Sequence, residues 1–341
     1  MTWLMPAETA PQDRVWMAFP VAGYTLGSNA DSADEARRTW AAVAHAVLDF
    51  EPVTMVVDPA EVATAQRYLS AEIDIIEAPL DDAWMRDIGP TFVRGDDGRL
   101  GAVDWTFNGW GAQDWARWGK DAEVGRIVTA ASGAHAISSV LVNEGGGIHV
   151  DGEGTVLATR TVQLDPGRNP YLDRARVEAE FARTLGATRV LWLPRGLTRD
   201  QQRYGTRGHI DMVAALPSPG TVLIHAQNDP AHPDHAVTRQ LRTVLAESTD
   251  AAGRAFTIVD LPAPDALRDA DGFVDYNYVN HLVVNGGVIA CAFGEERADR
   301  AAAEILARVY PGRTVVSVEA RPLFARGGGV HCITQQQPSV R

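Results

Sequence analysis

Residues 208–225 read GHIDMVAALPSPGTVLIH. Two apolar runs, near 211–216 and 221–225, are parted by Pro217-Ser218-Pro219-Gly220. That pattern predicts two short strands joined by a turn. An amphipathic helix follows near 234–247 and another strand near 256–260. The order strand, strand, helix, strand is not that of a doubly wound parallel sheet, which alternates one strand with one helix.

Working outward, the unit recurs. Strands are predicted near 155–159 and 189–193 about a helix at 172–186, and near 91–94, 101–106 and 139–142 about a helix at 121–131. Strands near 278–283, 287–291 and 314–318 enclose a helix at 296–310, striped by Ala302, Ile305, Leu306 and Val309. Val15–Phe19 and Val53–Val57 read as strands, the second stopped by Asp58-Pro59. Between them Ser32-Ala33-Asp34-Glu35 reads as a capping box. The helix it opens carries Ala36, Trp40, Val43, Val47 and Phe50 on one face. A helix near 60–70, a strand near 73–77 and a last strand near 330–333 complete the reading. The fold class is α/β, built from repeated ββαβ-type units.

Several strand ends carry a polar residue beside glycine. They are Asp87 before Gly89-Pro90, Glu144 before three glycines, His209 after Gly208, Asn285 before Gly286-Gly287, and Cys332 after three glycines. Their intervals of 57, 65, 76 and 47 residues approach one fifth of the chain. Repeats set around an axis would aim these ends at one centre.

Composition bounds the function. The chain has 341 residues, with 31 Lys and Arg against 44 Asp and Glu, a formal charge of −13. Non-specific nucleic-acid binding needs a basic footprint, which this chain lacks. The charge instead favours small cationic partners. Length alone suggests two domains, but no linker or low-complexity tract divides the chain, so one domain over 1–341 is expected. Two cysteines exclude a disulfide scaffold and a four-cysteine zinc site. No apolar run approaches a membrane span, and MTWLMPAETAPQDR is not a signal peptide. A cytoplasmic protein without membrane contact is expected, and a homodimer is one assembly open to it.

Four features bear on chemistry. His209-Ile210-Asp211, read as a strand, would put imidazole and carboxylate on one face. Cys332, after Gly327-Gly328-Gly329, is either a small buried hydrophobe or a thiolate nucleophile. Cys291, in Val288–Phe293, reads as core. Asp87 and Glu144 are acids beside glycines. The glycines after Glu144 lack the Lys-Ser/Thr of a phosphate loop and suit a cation better. A second His-x-Asp, His149-Val150-Asp151, leaves a two-pair metal site open. Against it, Asp151-Gly152-Glu153-Gly154 reads as a hairpin turn. Trp84, Trp105, Phe107, Trp110, Trp115 and Trp118 are core aromatics or a wall for a planar cation.

With Trp84-Met85-Arg86-Asp87, Asn143-Glu144-Gly145-Gly146, Gly208-His209-Ile210-Asp211 and Gly327–Pro338 in view, the chain resembles the agmatine deiminase family of guanidine-modifying enzymes. Met5-Pro6-Ala7-Glu8 and Phe107–Gly111 add to the likeness, which runs from the first residues to Pro338. The resemblance implies a five-bladed α/β propeller with the site on its axis. It implies Cys332 as nucleophile, His209 as general acid and base, and Asp87 and Asp211 as the carboxylates gripping a guanidinium. Glu144 would bond to His209 or help hold the substrate, and Trp84 would line the pocket. Trp110, Arg207 and Gly329 join the expected substrate-binding set. The substrate would be a small cationic guanidine, with agmatine first, and no metal or organic cofactor is implied. Deimination of arginine, peptidyl arginine or another guanidino acid, amidine transfer, and metal-dependent urea release remain alternatives. So does guanidine binding without turnover. Three positions depart from the family pattern. Gly147 and Gly329 stand where side chains are usual, and Arg207 stands where an acid is usual. Arg207 predicts a preference for a guanidine that bears a carboxylate.

Overall fold

The computed structural model describes residues 2–21 and 23–340. Helix Ala30–Leu48 buries Ala36, Trp40, Val43 and Val47, the face that their spacing predicts. Its start differs from expectation. Asn29, not Ser32, is the N-cap, and its side chain accepts from the Ser32 N–H. The Asn29 oxygen does so from extended backbone three residues before the start of the predicted box, which allows the helix to begin earlier.

That helix links two parallel strands, Gln12–Ala18 and Val53–Val57. The C-terminal strand Thr334–Pro338 lies antiparallel on the other side of Gln12–Ala18. The same antiparallel pair, helix and parallel strand occur four more times. Thr91–Gly95 pairs with Leu100–Thr106, and helix Val124–Ser132 leads to His135–Val142. Ile148–Val150 pairs with Thr155–Thr159, and helix Arg174–Leu185 leads to Arg189–Leu193. Ala214–Ser218 pairs with Thr221–Ala226, and helix Asp234–Ala246 leads to Thr257–Pro262. Leu282–Val284 pairs with Gly287–Ala292, and helix Glu296–Val309 leads to Thr314–Glu319. The fold is mixed α/β, as the sequence predicts.

Three predicted strands are displaced. The stretches near 211–216 and 330–333 begin as single 3-10 turns, Ile210–Met212 and His331–Ile333, with the strands following at Ala214 and Thr334. The stretch near 278–283 is irregular until Leu282. His209 and Asp211 therefore do not share a strand face; a turn brings them together. These lead-in turns position the site. The short helix Met85–Ile88, the glycine turn Gly145–Gly147 and the two 3-10 turns each precede the first strand of a unit and pack against one another.

Candidate active site

The turn before each unit delivers a polar side chain to one buried place. Asp87 comes from Met85–Ile88, Glu144 from the residue before Gly145–Gly147, and Cys332 from His331–Ile333. His209 and Asp211 come from the edge and middle of Ile210–Met212. The fifth contributor is Asn280, which the sequence reading missed. Asn285 drew notice because two glycines follow it. It is a structural residue, bonding Gln12 through its side chain and Glu51 through its N–H.

Hydrogen bonds from neighbouring segments fix the turns that carry His209 and Cys332. The His209 N–H donates to Asp200 Oδ2 at 3.0 Å, and the Gly208 carbonyl accepts from Thr159 at 2.7 Å. Gly208 has φ +110° and lies against Gly196, so a side chain at either would collide with the other's backbone. Asn280 Oδ1 accepts from the His331 N–H at 3.0 Å, and its Nδ2 lies 3.1 Å from Cys332 Sγ.

All five expected catalytic side chains are buried. His209 Nε2 lies 3.1 Å from Glu144 Oε2. Arg168 donates to Glu144 Oε1 at 3.0 Å, to Asp165 at 2.8 Å and to the Thr206 carbonyl at 2.8 Å. Burial opposes the Glu144 charge, but Arg168 and His209 bring its pKa down to about 2. Burial also opposes charge on His209, yet Asp87, Glu144 and Asp211 raise it to about 9. With Glu144 ionised, His209 Nε2 must donate. Nδ1 is then the ring atom left for chemistry. It is buried, has no hydrogen-bond partner, and stands 3.8 Å from Asp87 Oδ1.

Arg168 has a measurable consequence. Arg168→Leu leaves the buried Glu144 with His209 as its one charged partner, and breaking a buried ion pair costs roughly 3–5 kcal/mol. Denaturant unfolding is expected to register that loss near neutral pH. A loss under about 1 kcal/mol, the range of exposed pairs, would contradict it.

Asp87 is held by Trp110 Nε1 at Oδ2, 2.8 Å, and by the Gly146 N–H at Oδ1, 3.2 Å. Burial and the nearby Glu144 and Asp211 push it up to about 6. Trp110 sits in a left-handed run with φ of +68° at Gly109, +57° at Trp110, +91° at Gly111 and +56° at Ala112. Such a conformation costs a non-glycine residue roughly 1–2 kcal/mol. The bond to Asp87 and stacking on Trp115, ring centres 5.4 Å apart, hold it there. Trp84 packs edge-on against Trp40 at 5.5 Å. A Cβ on Gly328 would lie 2.7 Å from the Trp84 ring and 3.0 Å from Cys332 Sγ, so this glycine lets the indole and the thiol approach.

Cys332 is a thiol in this state. Burial, then Asp211 and Asp87, raise its pKa well above the ordinary value, against the Gly329 N–H and Asn280. Sγ lies 3.6 Å from Asp211 Oδ2. Cys291 is core, as expected: it donates to the Asn280 carbonyl, and burial pushes its thiol up to about 12.

The departures take physical form. A Cβ on Gly329 would lie 2.5 Å from Asn280 Oδ1, and one on Gly147 would approach Gln163 and Asn143 at 3.1 and 3.2 Å. Amides fill both spaces. Arg207, half exposed, has its Nε 3.4 Å from Asp165 Oδ2, outside hydrogen-bond geometry. His149 and Asp151 do not join His209 and Asp211. Asp151 caps its hairpin turn, accepting from Glu153 and Thr155, and His149 faces Glu8.

The chain matches the family described as Porphyromonas-type peptidyl-arginine deiminase over residues 4–338. The chain belongs to that family. A Streptomyces coelicolor protein that carries the agmatine deiminase name provisionally is 56% identical over 339 residues, 99% of each chain. The agmatine deiminase of Pseudomonas fluorescens is 38% identical over 360 residues, 98% of this chain and 95% of that one. A solved Enterococcus faecalis agmatine deiminase superposes with a TM-score of 0.93 at 32% identity, covering 100% and 97% of the two chains. Among the described residues, no helix is long and apolar enough to cross a membrane.

Proposed function

We propose that the chain is a hydrolase of linear amidines that converts agmatine and water to N-carbamoylputrescine and ammonia. It would act as one domain of five blades about a common axis, in the cytoplasm. The observation that carries the reading is the set of atoms without partners. Asp211 Oδ1 and His209 Nδ1 are buried and unsatisfied beside Asp87 and the Cys332 thiol. An acceptor for an N–H, a proton donor for a leaving nitrogen and a nucleophile at one buried point are what deimination of a guanidinium requires. The relatives' names support agmatine over carboxylate-bearing guanidines, and Arg207, beside Asp165, gives no reason to depart from it.

A guanidinium is planar, delocalised and a poor electrophile. Asp87 and Asp211 would hold its nitrogens and fix its carbon within reach of sulfur. Its charge offsets the two carboxylates that keep Cys332 protonated, so the thiol ionises as substrate enters and its proton passes to solvent. Thiolate attack forms the C–S bond. His209 Nδ1–H then gives its proton to the departing nitrogen, which leaves as ammonia. The neutral imidazole takes one proton from water, which attacks the thiouronium carbon and expels the thiolate, and the remaining hydroxyl proton returns Cys332 to the thiol as the carbonyl forms. The product is a neutral urea that two carboxylates grip less well. Trp84 would wall the pocket, Trp110 would hold Asp87, and Glu144 would orient His209 and keep it charged.

The test is ammonia release from agmatine, arginine, N-acetylarginine amide and 4-guanidinobutyrate. Agmatine is expected to exceed the others in kcat/KM by at least about tenfold, a discrimination of roughly 1.4 kcal/mol. Turnover of the carboxylate-bearing guanidines alone would overturn the substrate. Loss of activity on chelation would overturn the mechanism.

A pH profile follows with its sign. Binding needs Asp87 ionised, and proton donation needs His209 charged. Log kcat/KM is therefore expected to rise through about 6 and fall through about 9, with a plateau between. A profile still rising above pH 10, roughly, would show instead that thiol ionisation limits the rate.

A further inference from the structure

Glu8 and His331 belong to motifs quoted from the sequence, yet neither has a role in the chemistry above. Their geometry supplies one. His331 Nδ1 lies 2.8 Å from Asp211 Oδ2, and Nε2 lies 2.8 Å from Glu8 Oε1. All three side chains are buried. An ionised carboxylate only accepts, so each ring nitrogen must donate.

We propose that His331 is a buried imidazolium and a positioning residue, anchored by Glu8, that holds Asp211 Oδ2 and leaves Oδ1 to face the guanidinium. This rests on the deiminase reading. Asp211 Oδ1 is indeed buried and without a hydrogen-bond partner, while Oδ2 is engaged. A carboxylate with one oxygen held cannot rotate, and a fixed acceptor is what an oriented planar cation requires.

The surrounding charges balance. Arg86 Nη1 lies 3.7 Å from Glu8 Oε1, and its Nε donates to the His331 carbonyl at 3.3 Å. Glu8 and Asp211 thus face His331 and Arg86, two anions against two cations. Burial and Arg86 oppose charge on His331, and Glu8 and Asp211 prevail, raising its pKa. Cys332, next in the chain, faces Asp211 from the same turn, and His209 adds a positive charge near Asp211 from the other side.

Three further titratable groups stand near: His281 and Tyr310, bonded to each other at 2.9 Å, with burial holding His281 down to about 4, and His149, its ring 6.2 Å from that of His331. His149 Nδ1 accepts from the Leu216 N–H, so its proton sits on Nε2, 3.8 Å from Glu8. That tautomer separates this cluster from a metal site. Ligand atoms of Glu8, His149 and His331 lie within 4.8 Å of one another. Yet each ring nitrogen facing the gap carries a proton, and Arg86 adds a cation there.

Two measurements test the proposal on the full chain. The first is the ¹⁵N spectrum of histidine-labelled protein at pH 8, with His331 assigned through its backbone. Both ring nitrogens are expected to be protonated; one bare ring nitrogen would overturn the proposal. The second is calorimetry in the Cys332→Ser protein with and without Glu8→Gln. The agmatine Kd is expected to rise at least tenfold, while the Kd of N-carbamoylputrescine changes less than twofold. An unchanged agmatine Kd, or an equal loss for both ligands as packing damage would give, would overturn it. If Glu8→Gln does not fold, the wild-type spectrum decides. Failure of the parent to bind agmatine would instead count against the proposed function, and the spectrum would still decide the state of His331.

Discussion

Cys332→Ser is expected to slow ammonia release from agmatine by at least about 10⁴-fold, the scale on which loss of a covalent nucleophile is felt. A serine hydroxyl is far less acidic than a thiol, and Asp211 and Asp87 would oppose its ionisation as they oppose that of Cys332. No other sulfur can replace it, because Cys291 lies in the core with its thiol bonded to the Asn280 carbonyl. The guanidinium grip is left intact, so agmatine still binds. Calorimetry should find binding within about tenfold of the parent, and single-turnover assays should find no ammonia. Residual turnover within about a hundredfold of wild type would remove Cys332 from the chemistry.

The second large effect is at Gly146. A Cβ there would stand 2.5 Å from His209 Nδ1 and 3.0 Å from both Asp211 Oδ2 and Asp87 Oδ1. These are the groups assigned to the substrate. The backbone at Gly146 is outside the left-handed region, so alanine fits its conformation. What alanine cannot do is share the space. Gly146→Ala is expected to fold, with a thermal midpoint close to the parent's, and to lose about 10²–10³-fold in kcat/KM. A displacement of about 1 Å at the reacting groups is enough for a loss of that order. Activity within about threefold of wild type would show that the guanidinium is held elsewhere.

Much of this architecture is legible locally. The buried face of Ala30–Leu48 and the paired strands of each unit follow from apolar spacing, because period and burial are the same information. The lead-in turns are not local. The runs near 211–216 and 330–333 look like strands because their residues are apolar. They turn where Thr159 and Asn280 reach in from 49 and 51 residues away and Asp200 from nine. The site divides in the same way. Cys332, His209, Asp87, Asp211 and Glu144 stand beside glycines and could be picked out. Asn280 has none beside it, so the sequence points to the glycine-flanked Asn285 in its place. Arg168, Glu8 and His331 reach the site through partners 24 to 323 residues away. Gly146 is visible as a glycine, but nothing in the sequence says that its missing side chain is the space in which a substrate fits.

The seam between Gln12–Ala18 and Thr334–Pro338 has a consequence for how the molecule is made. Synthesis runs from the N-terminus, so the first unit waits for its antiparallel strand until the four other units have been made. Cys332 arrives in the same short stretch, two residues before that strand begins. Cys332, the proposed nucleophile, and the seam therefore appear together. Pairing residues so far apart in sequence is the slow kind of contact to form. Refolding from denaturant should then recover activity last, in step with closure of that seam and behind the return of helix.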